Sequence, residues 1–266
     1  MHSTLTTLIR RLDSADTASM DIIRWGCPVP AFGDLSASRV ATLGLNPSRR
    51  EFMDPSGDEL KEGCRRFQTL NSLGISSWSD VDFRHLRIII ESCRSYFTRN
   101  PYDAWFGRLD RVVSCMNTSY YDASSSACHL DLVPFATVSK WIDLTASQRL
   151  SLFSLAADTL GNLLRDSPVR VLILNGRSVV DNFQEFAGVT LRSYKMPTWS
   201  LRRRSGRPVE GFAFRGFVQS VFGLDFDREL LVLGFNHNLQ SSYGVTSHLI
   251  REIGRWVSRA AREVLS

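Results

Sequence analysis

Four short apolar runs constrain the fold of this 266-residue chain more than any other feature. Each is rich in Leu or β-branched residues and lacks a clean alternation of apolar and polar positions, which is typical of strands buried on both faces of a parallel sheet. The runs are Arg39–Leu45, Cys128–Val133, Val169–Leu174 and Glu229–Phe235. Because helical patterns separate them, the sequence predicts an α/β fold with right-handed crossovers.

Amphipathic patterns predict five helices, at Asp82–Phe97, Asp103–Met116, Thr145–Leu164, Arg177–Phe186 and Val245–Leu265. We therefore expect a single-domain, three-layer α/β/α sandwich around a four-stranded, mainly parallel sheet, with residues 1–38 as an N-terminal helical extension. The run GFAFRGFV puts Phe212 and Phe214 on one face, with Gly216 as a turn or bulge. This pattern predicts a small hairpin inserted before the last strand.

The composition and the missing motifs exclude several classes of protein. No run approaches the roughly 18 apolar residues that cross a bilayer, and the polar start lacks the apolar core of a signal peptide, so we expect a soluble, cytoplasmic protein. The five cysteines form no CxxC pair, which argues against a disulfide framework and against a zinc or iron–sulfur site. Walker A, GxGxxG, HExxH and GxSxG motifs are also missing from the sequence, and no cofactor is expected.

The basic residues are unusual in kind. The chain has 32 basic residues and a formal net charge of +5, and only Lys61, Lys140 and Lys195 are lysines. Arginine binds phosphate bidentately and stacks on bases, so this bias suits a nucleic-acid partner. A GC-rich genome would produce the same bias, and the two interpretations stay open at this point.

Polar residues follow each of the four predicted strands. The segments are Gly44–Ser48, the strand residues His129 and Asp131, Asn175–Gly176, and Asn236–Ser242. Ligands of parallel α/β sheets bind outside the carboxyl ends of the strands. Amides, an imidazole, a carboxylate and hydroxyls at these ends predict a site that recognises its ligand by hydrogen bonds.

Two of these segments resemble a known family. GLNPS after the first strand is similar to the first signature of the uracil-DNA glycosylase superfamily, in branches with Asn in the active-site position. NHNLQSS after the last strand is similar to the second signature, a loop that carries a His or Asn and a residue that wedges into DNA. The family's middle strands are matched in order by the segment HLDLVPFAT, a long helix after it, and then the segment VLILNG. The resemblance covers the chain from about Arg39 to its C-terminus.

The resemblance implies roles for residues around an extruded base. Asn46 would hold and orient the water that attacks the sugar, and His237 would donate to a carbonyl oxygen of the base as negative charge develops. Phe52 would stack on the base, with Leu45 and Asn236 beside it. Each has an ordinary alternative: a helix cap and turn for the Asn46 segment, a loop network for His237, and core packing for Phe52.

The resemblance also implies a DNA-binding surface. Leu239 or Tyr243 would fill the space that the extruded base leaves, although core packing explains either residue equally well. The other expected DNA contacts are polar or basic: Ser48, Arg49, Arg202, Arg203, Arg204, Gln240, Ser241 and Ser242. For the arginine run, a solvated loop is the alternative.

Asp131 departs from the family pattern, because it stands where the uracil-reading Asn is expected. A carboxyl in its neutral form can accept from the N4 amino group of cytosine and donate to N3, which matches a cytosine-type edge. Asp131 would then also help to protonate the leaving base. The alternative is a buried structural Asp, bonded to backbone N–H groups or to His129.

The sequence thus predicts a metal-free DNA glycosylase that excises a modified cytosine, because removal of normal cytosine would be toxic. Glycosylases of this superfamily that remove glucosylated hydroxymethylcytosine from phage DNA are the type implied, with DNA as partner and no membrane or obligate protein partner. A monofunctional enzyme is expected because no lysine lies near the motifs to form a Schiff base, Lys140 being the nearest. The alternatives are a uracil or mismatched-thymine repair glycosylase and a non-catalytic DNA-binding module.

Overall fold

The four predicted strands lie side by side in one sheet. A computed structural model, which describes residues 1–14, 17–99, 103–122, 126–202, 206–240 and 242–265, places β1 (Val40–Gly44) between β2 (Ala127–Asp131) and β3 (Val171–Asn175). Both pairings are parallel, and the carboxyl half of the last strand pairs with β3 in parallel as well. Every residue of these three strands is buried, as their uninterrupted apolar runs predict.

The sheet is mixed and has six strands, so the prediction of four strands is wrong. The two additional strands are β4 (Arg192–Lys195) and β5 (Phe212–Val221), and β6 is Leu224–Phe235. The order across the sheet is β2-β1-β3-β6-β5-β4, and the β5 and β4 pairings are antiparallel. All four residues of β4 are exposed, and an exposed, charged edge strand has no apolar run that would reveal it in a sequence.

The hairpin before the chain's last helix differs from its prediction. It is formed by β5 and β6 themselves, which are joined at Phe222 and Gly223, both with positive φ. Two consecutive positive φ values are typical of a type I′ hairpin loop. Gly216 is neither turn nor bulge, since it pairs with Val232 inside the strand, and the irregularity falls between Val218 and Ser220.

Nine helices are present in the described part of the chain. They are α1 (His2–Ser14), α2 (Leu70–Leu73), α3 (Phe83–Arg94), α4 (Tyr96–Arg99), α5 (Asp103–Val113), α6 (Ala146–Ala156), α7 (Thr159–Arg165), α8 (Arg177–Ala187) and α9 (Ser247–Leu265). Of the helices within the described ranges, none has both the length and the apolar character that a bilayer crossing requires.

The helix predicted over Thr145–Leu164 is broken in two. Ala157 has a φ of 40°, which ends α6. Arg11 of α1 donates to the carbonyl oxygen of Ala156 at 3.1 Å and to the carboxylate of Asp158 at 2.7 Å. The side chain of Arg11 therefore hydrogen-bonds a backbone carbonyl that is left without a partner at the C-terminus of α6. Because Arg11 and α6 are far apart in the sequence, no local sequence pattern predicts this helix end.

The N-terminal segment belongs to the core, and only its first part is helical as predicted. Leu5, Leu8 and Leu12 of α1 are buried. The α-helix ends at Ser14, and residues 22–38 contain no helix. Phe32 instead forms a two-way backbone bridge with His129 of β2, with both N–H···O distances at 2.9 Å. Residues 22–38 therefore lie along the sheet and bring Phe32 close to its carboxyl edge.

The strand register determines which side chains meet at that edge. Gly44 pairs with Asp131, and Asn175 pairs with Phe235. The loops that follow β1, β2, β3 and β6 therefore leave the sheet at one edge, as the parallel pattern predicts.

Candidate active site

A small cavity lies at the carboxyl ends of β1 and β2, with a volume of about 70 Å³. We call it the central cavity. Its lining residues are Phe32, Asn46, Pro47, Ser48, Glu51, Trp105, Phe106, His129 and Asp131. It combines an amide, an imidazole and two carboxyls with three aromatic rings, and its lining includes Asn46 and Asp131, both predicted to contact the base.

Gly44, the last residue of β1, lies directly against the side chains of Asp131 and His129. A Cβ at this position would overlap the Asp131 carboxylate and lie 3.0 Å from His129 Nε2. Since real Cβ atoms do not come so close to other atoms, glycine is required for Asp131 and His129 to occupy their observed positions.

Asp131 is almost completely buried, with 3% of its side chain exposed. His129 Nε2 lies 3.4 Å from Asp131 Oδ1, and no hydrogen bond to this carboxyl accompanies the contact anywhere in the described ranges. Backbone N–H donors, one form of the structural alternative, are thus not seen at this carboxyl in the described ranges, whereas the contact with His129, its other form, is present. A buried carboxyl with so few partners is costly to keep.

The imidazole of His129 is also fixed through its second ring nitrogen, Nδ1. Its Nδ1 lies 2.7 Å from the hydroxyl of Thr42, which also bonds the hydroxyl of Tyr120. Three aromatic rings surround the imidazole at centroid distances of 5.2 to 5.5 Å, those of Phe32, Trp105 and Phe106. The ring therefore presents only Nε2 toward Asp131.

Asn46 has its side-chain amide oriented by its neighbours. Its Nδ2 donates to the hydroxyl oxygen of Thr137 at 3.0 Å and to the carbonyl oxygen of Phe135 at 3.4 Å. Thr137 in turn donates its hydroxyl proton to the carbonyl of Ser139. These bonds fix which amide atom is nitrogen, and they leave Oδ1 with no hydrogen-bond donor among the described residues. Asn46 can therefore accept a hydrogen bond from a water molecule, as the sequence predicts.

Glu51 is a second buried carboxyl in the central cavity, and the sequence prediction missed it. The hydroxyl of Tyr96 donates to Glu51 Oε2 at 2.9 Å, and Arg66 lies 3.4 Å from the same oxygen. Its surroundings together raise the pKa of Glu51 from 4.5 to about 7: burial raises it most, Arg66 and the Tyr96 hydroxyl lower it, and the charge of Asp131 adds a smaller increase. Glu51 can therefore exchange a proton near neutral pH.

We expect Glu51→Gln to stabilise the protein at high pH. The unfolded chain loses this proton near pH 4.5 and the folded chain only near pH 7. The native state therefore binds more protons between these values, and the contribution of Glu51 to stability is lost as the pH rises through 7. At pH 8 the neutral variant should gain up to roughly 3 kcal/mol in the free energy of unfolding, and at pH 5 much less. Denaturant titrations at both pH values measure this difference.

Glu62→Gln is the matched control, because Glu62 is exposed in the next 3₁₀ turn. It should leave the free energy of unfolding unchanged at both pH values. An equal effect of Glu51→Gln at pH 5 and pH 8 would show that the burial of this carboxyl does not govern its titration.

A larger cavity of about 420 Å³ adjoins the first and shares Asn46, Pro47 and Ser48 with it. We call it the outer cavity. The exposed side chains of Arg49 and Lys140 also line it, which agrees with the location expected for Ser48 and Arg49. Ser48 additionally accepts from the backbone N–H of Arg50 and so caps the short 3₁₀ turn. Lys140, which sequence spacing left outside the motifs, here lines the same cavity as Asn46.

Phe52 does not line either cavity, so its predicted role in base stacking is wrong. It is 1% exposed and packs against Trp25 and Phe67. Leu45 is half-buried and packs on the hydrophobic core, and it does not line the central cavity either. Because an aromatic residue near the first motif can point into the core as readily as into a site, sequence spacing could not separate the two cases.

His237 and Asn236 also fail their predicted roles at the base. His237 is 1% exposed, and its Nε2 donates to the carbonyl oxygen of Trp199 at 2.7 Å. Burial lowers the pKa of His237. Asn236 is bonded to the backbone of Phe212 and Glu210. Neither residue lines the central cavity, so both are structural supports of the loop after β6.

Leu239 and Gln240, further along the loop after β6, are buried or hydrogen-bonded within the protein. Leu239 is fully buried, so its predicted role as a wedge in DNA is wrong. Gln240 accepts from Asn175 at 2.8 Å and donates to the carbonyl oxygen of Trp105 at 2.9 Å. Gln240 therefore makes its hydrogen bonds within the protein and supports Trp105, which lines the central cavity. Tyr243, the alternative wedge, is 66% exposed.

Of the remaining predicted DNA contacts, Arg202 and Ser242 lie within the described residues and three others do not. Arg202 is exposed, and its carbonyl oxygen lies close to Gly244, 3.5 Å from where a Cβ would be. Ser242 is half-buried and donates its backbone N–H to Asn238. Arg203, Arg204 and Ser241 lie outside the described residues.

The aromatic walls of the central cavity were missed because they come from distant segments. Phe32 belongs to the segment before β1, and Trp105 and Phe106 belong to α5. The signal that was available for Glu51 is its place five residues after Asn46, in the turn that follows the first motif.

No protein-family model matches the chain, and no curated protein is significantly similar to it.

Proposed function

We propose that this chain is a DNA glycosylase of the uracil-DNA glycosylase type, with that family's three-layer α/β/α architecture. In this proposal it extrudes a modified cytosine from DNA and hydrolyses its N-glycosidic bond, which leaves an abasic site. One observation carries the proposal. The amide of Asn46 and the buried carboxyls of Asp131 and Glu51 line one aromatic-walled cavity at the carboxyl ends of parallel strands.

The chemistry assigns one task to each polar group. As the C1′–N bond breaks, its electron pair leaves with the base, and a water held by Asn46 Oδ1 adds to C1′. The proton of that water passes to the carboxylate of Glu51. The leaving base takes a proton from the neutral form of Asp131, which also accepts from its exocyclic amino group. Solvent then returns both carboxyls to their starting protonation states.

The environment of the central cavity supports this assignment. Burial raises the pKa of Glu51 to about 7, so near neutral pH this carboxyl can take up the proton that the water releases. The aromatic rings of Phe32, Trp105 and Phe106 exclude water and offer faces and edges to a flat base. The outer cavity, with Arg49 and Lys140, suits the neighbouring phosphates or a substituent on the base.

The proposal is tested with oligonucleotides that each carry one target base: cytosine, uracil, hydroxymethylcytosine or glucosylated hydroxymethylcytosine. We expect strand cleavage after alkali treatment only where the base is a modified cytosine. Cleavage at uracil alone would favour the repair alternative. DNA binding with no cleavage of any substrate would favour a non-catalytic DNA-binding module.

The same reactions test whether the proposed enzyme is monofunctional. Lys140 lines the outer cavity and is the lysine to test for Schiff-base formation. Borohydride traps a Schiff base between a lysine and the abasic sugar. We expect no trapped protein–DNA product.

A further inference from the structure

A groove with a volume of about 880 Å³ lies on another face of the protein. It runs along the exposed side of α3 and α4. The side chains that characterise this surface, which we call the arginine groove, are Phe83, Arg84, Arg87, Ile88, Arg94 and Arg99. Most of these positions follow one another at intervals of three or four residues, which places them on one helical face.

The charge of the groove is strongly positive. Four arginines line it, and Glu91 is the acidic residue among its lining side chains. Arg94 is fixed by the carboxylate of Asp34 at 2.8 Å, and Arg99 by the hydroxyl of Ser95 at 2.8 Å. Arg84 and Arg87 are exposed, with Asp82 close enough to Arg84 to interact with it. The groove therefore suits an extended anionic ligand.

An exposed aromatic platform lies at one end of the groove. Phe83 is 66% exposed, and the ring of His2 stacks on it at a centroid distance of 5.6 Å and an interplanar angle of 16°. Ile88 is exposed nearby. Apolar side chains of this size are rarely left in water without a purpose when they lie together beside a basic surface. A flat aromatic ring next to arginines is the combination that binds single-stranded nucleic acid, because bases stack on the ring and phosphates bind the guanidiniums.

The groove is connected to the central cavity through two contacts. Arg99 donates to the backbone carbonyl of Arg66 at 3.3 Å, and the side chain of Arg66 contacts Glu51. We propose that the arginine groove binds a single-stranded segment of DNA, with phosphates on Arg84 and Arg87 and a base on Phe83. That the bound strand is DNA rests on the proposed function. Binding of a single strand in the groove does not itself require the excision reaction.

The test measures the binding of a fluorescent thymidine 20-mer, which carries no excisable cytosine, by anisotropy at several salt concentrations. We expect Arg84→Gln/Arg87→Gln to weaken binding about tenfold and to reduce the slope of log affinity against log salt by about 1.4, since each phosphate contact on a single strand contributes about 0.7. Phe83→Ala should weaken binding by a similar factor through the lost stacking.

Arg251→Gln/Arg259→Gln on the exposed face of α9 removes the same charge elsewhere and should change the affinity less than twofold. Equal losses in the two double variants, or no loss in either, would overturn the groove assignment. So would an unchanged affinity of Phe83→Ala together with efficient competition by polyglutamate, because that result marks a site for acidic protein. If excision proceeds but the groove variants bind normally, only this inference fails; if the chain binds no DNA at all, the proposed function fails with it.

Discussion

Asn46→Ala should slow abasic-site formation about a hundredfold to a thousandfold while DNA binding persists. The side chain's Oδ1 is the oriented acceptor in the central cavity, because Nδ2 is already bonded to Thr137 and Phe135. Without it the attacking water loses its fixed position, and misplacement of a nucleophile by about 1 Å costs roughly a hundredfold in rate. Since a preorganised group of this kind contributes about 10² to 10³ in other enzymes, single-turnover excision should slow by about that factor.

Thr137→Val is the companion variant. It removes the hydrogen-bond acceptor that orients the Asn46 amide but leaves Oδ1 present, so it should slow excision less than Asn46→Ala. Substrate affinity, measured separately by anisotropy, should stay within about threefold in both variants, because neither side chain carries charge. Full excision activity of Asn46→Ala would remove the central cavity from consideration as the reaction centre.

Asp131→Asn should change the base that is excised. The substitution keeps the shape of the side chain next to Gly44 and His129, but it replaces a group matching cytosine with one matching uracil. A correctly placed pair of hydrogen bonds discriminates between bases by about 1 to 3 kcal/mol. We therefore expect the ratio of kcat/KM for modified cytosine over uracil to fall about tenfold to a hundredfold.

Asp110→Asn is the matched control for this exchange. Asp110 accepts hydrogen bonds from Ser119 and from the backbone of Tyr120, both at 2.9 Å, and does not line the central cavity. Its variant should lower stability without altering the preference between bases. If the wild-type protein cleaves uracil DNA readily and Asp131→Asn behaves identically, Asp131 does not read the base.

The central strands could be predicted from the sequence because burial on both faces leaves a local pattern. That pattern located β1, β2, β3 and the buried half of β6, and with them the edge at which Asn46 and Asp131 meet. It could not locate β4 or the first half of β6, whose residues are exposed or alternate with exposed ones.

The site was harder to predict because its residues gain their roles from distant partners. Glu51 is defined by Arg66 and Tyr96, and His237 by the carbonyl of Trp199. A motif identifies the type of residue that stands in a loop, but the direction in which a side chain points depends on packing against segments far along the chain. For this reason the first motif selected Asn46, which lines the central cavity, whereas Phe52 and His237 do not line it.

The close approach of Gly44 to Asp131 and His129 has a consequence for protein engineering. Because Gly44 has no side chain to shorten and no space for a longer one, mutagenesis at this position cannot enlarge the central cavity. Under the proposed function, variants that accept other bases must therefore come from lining residues such as Trp105 of α5, which is half-buried. A saturation library at this tryptophan is the natural starting point.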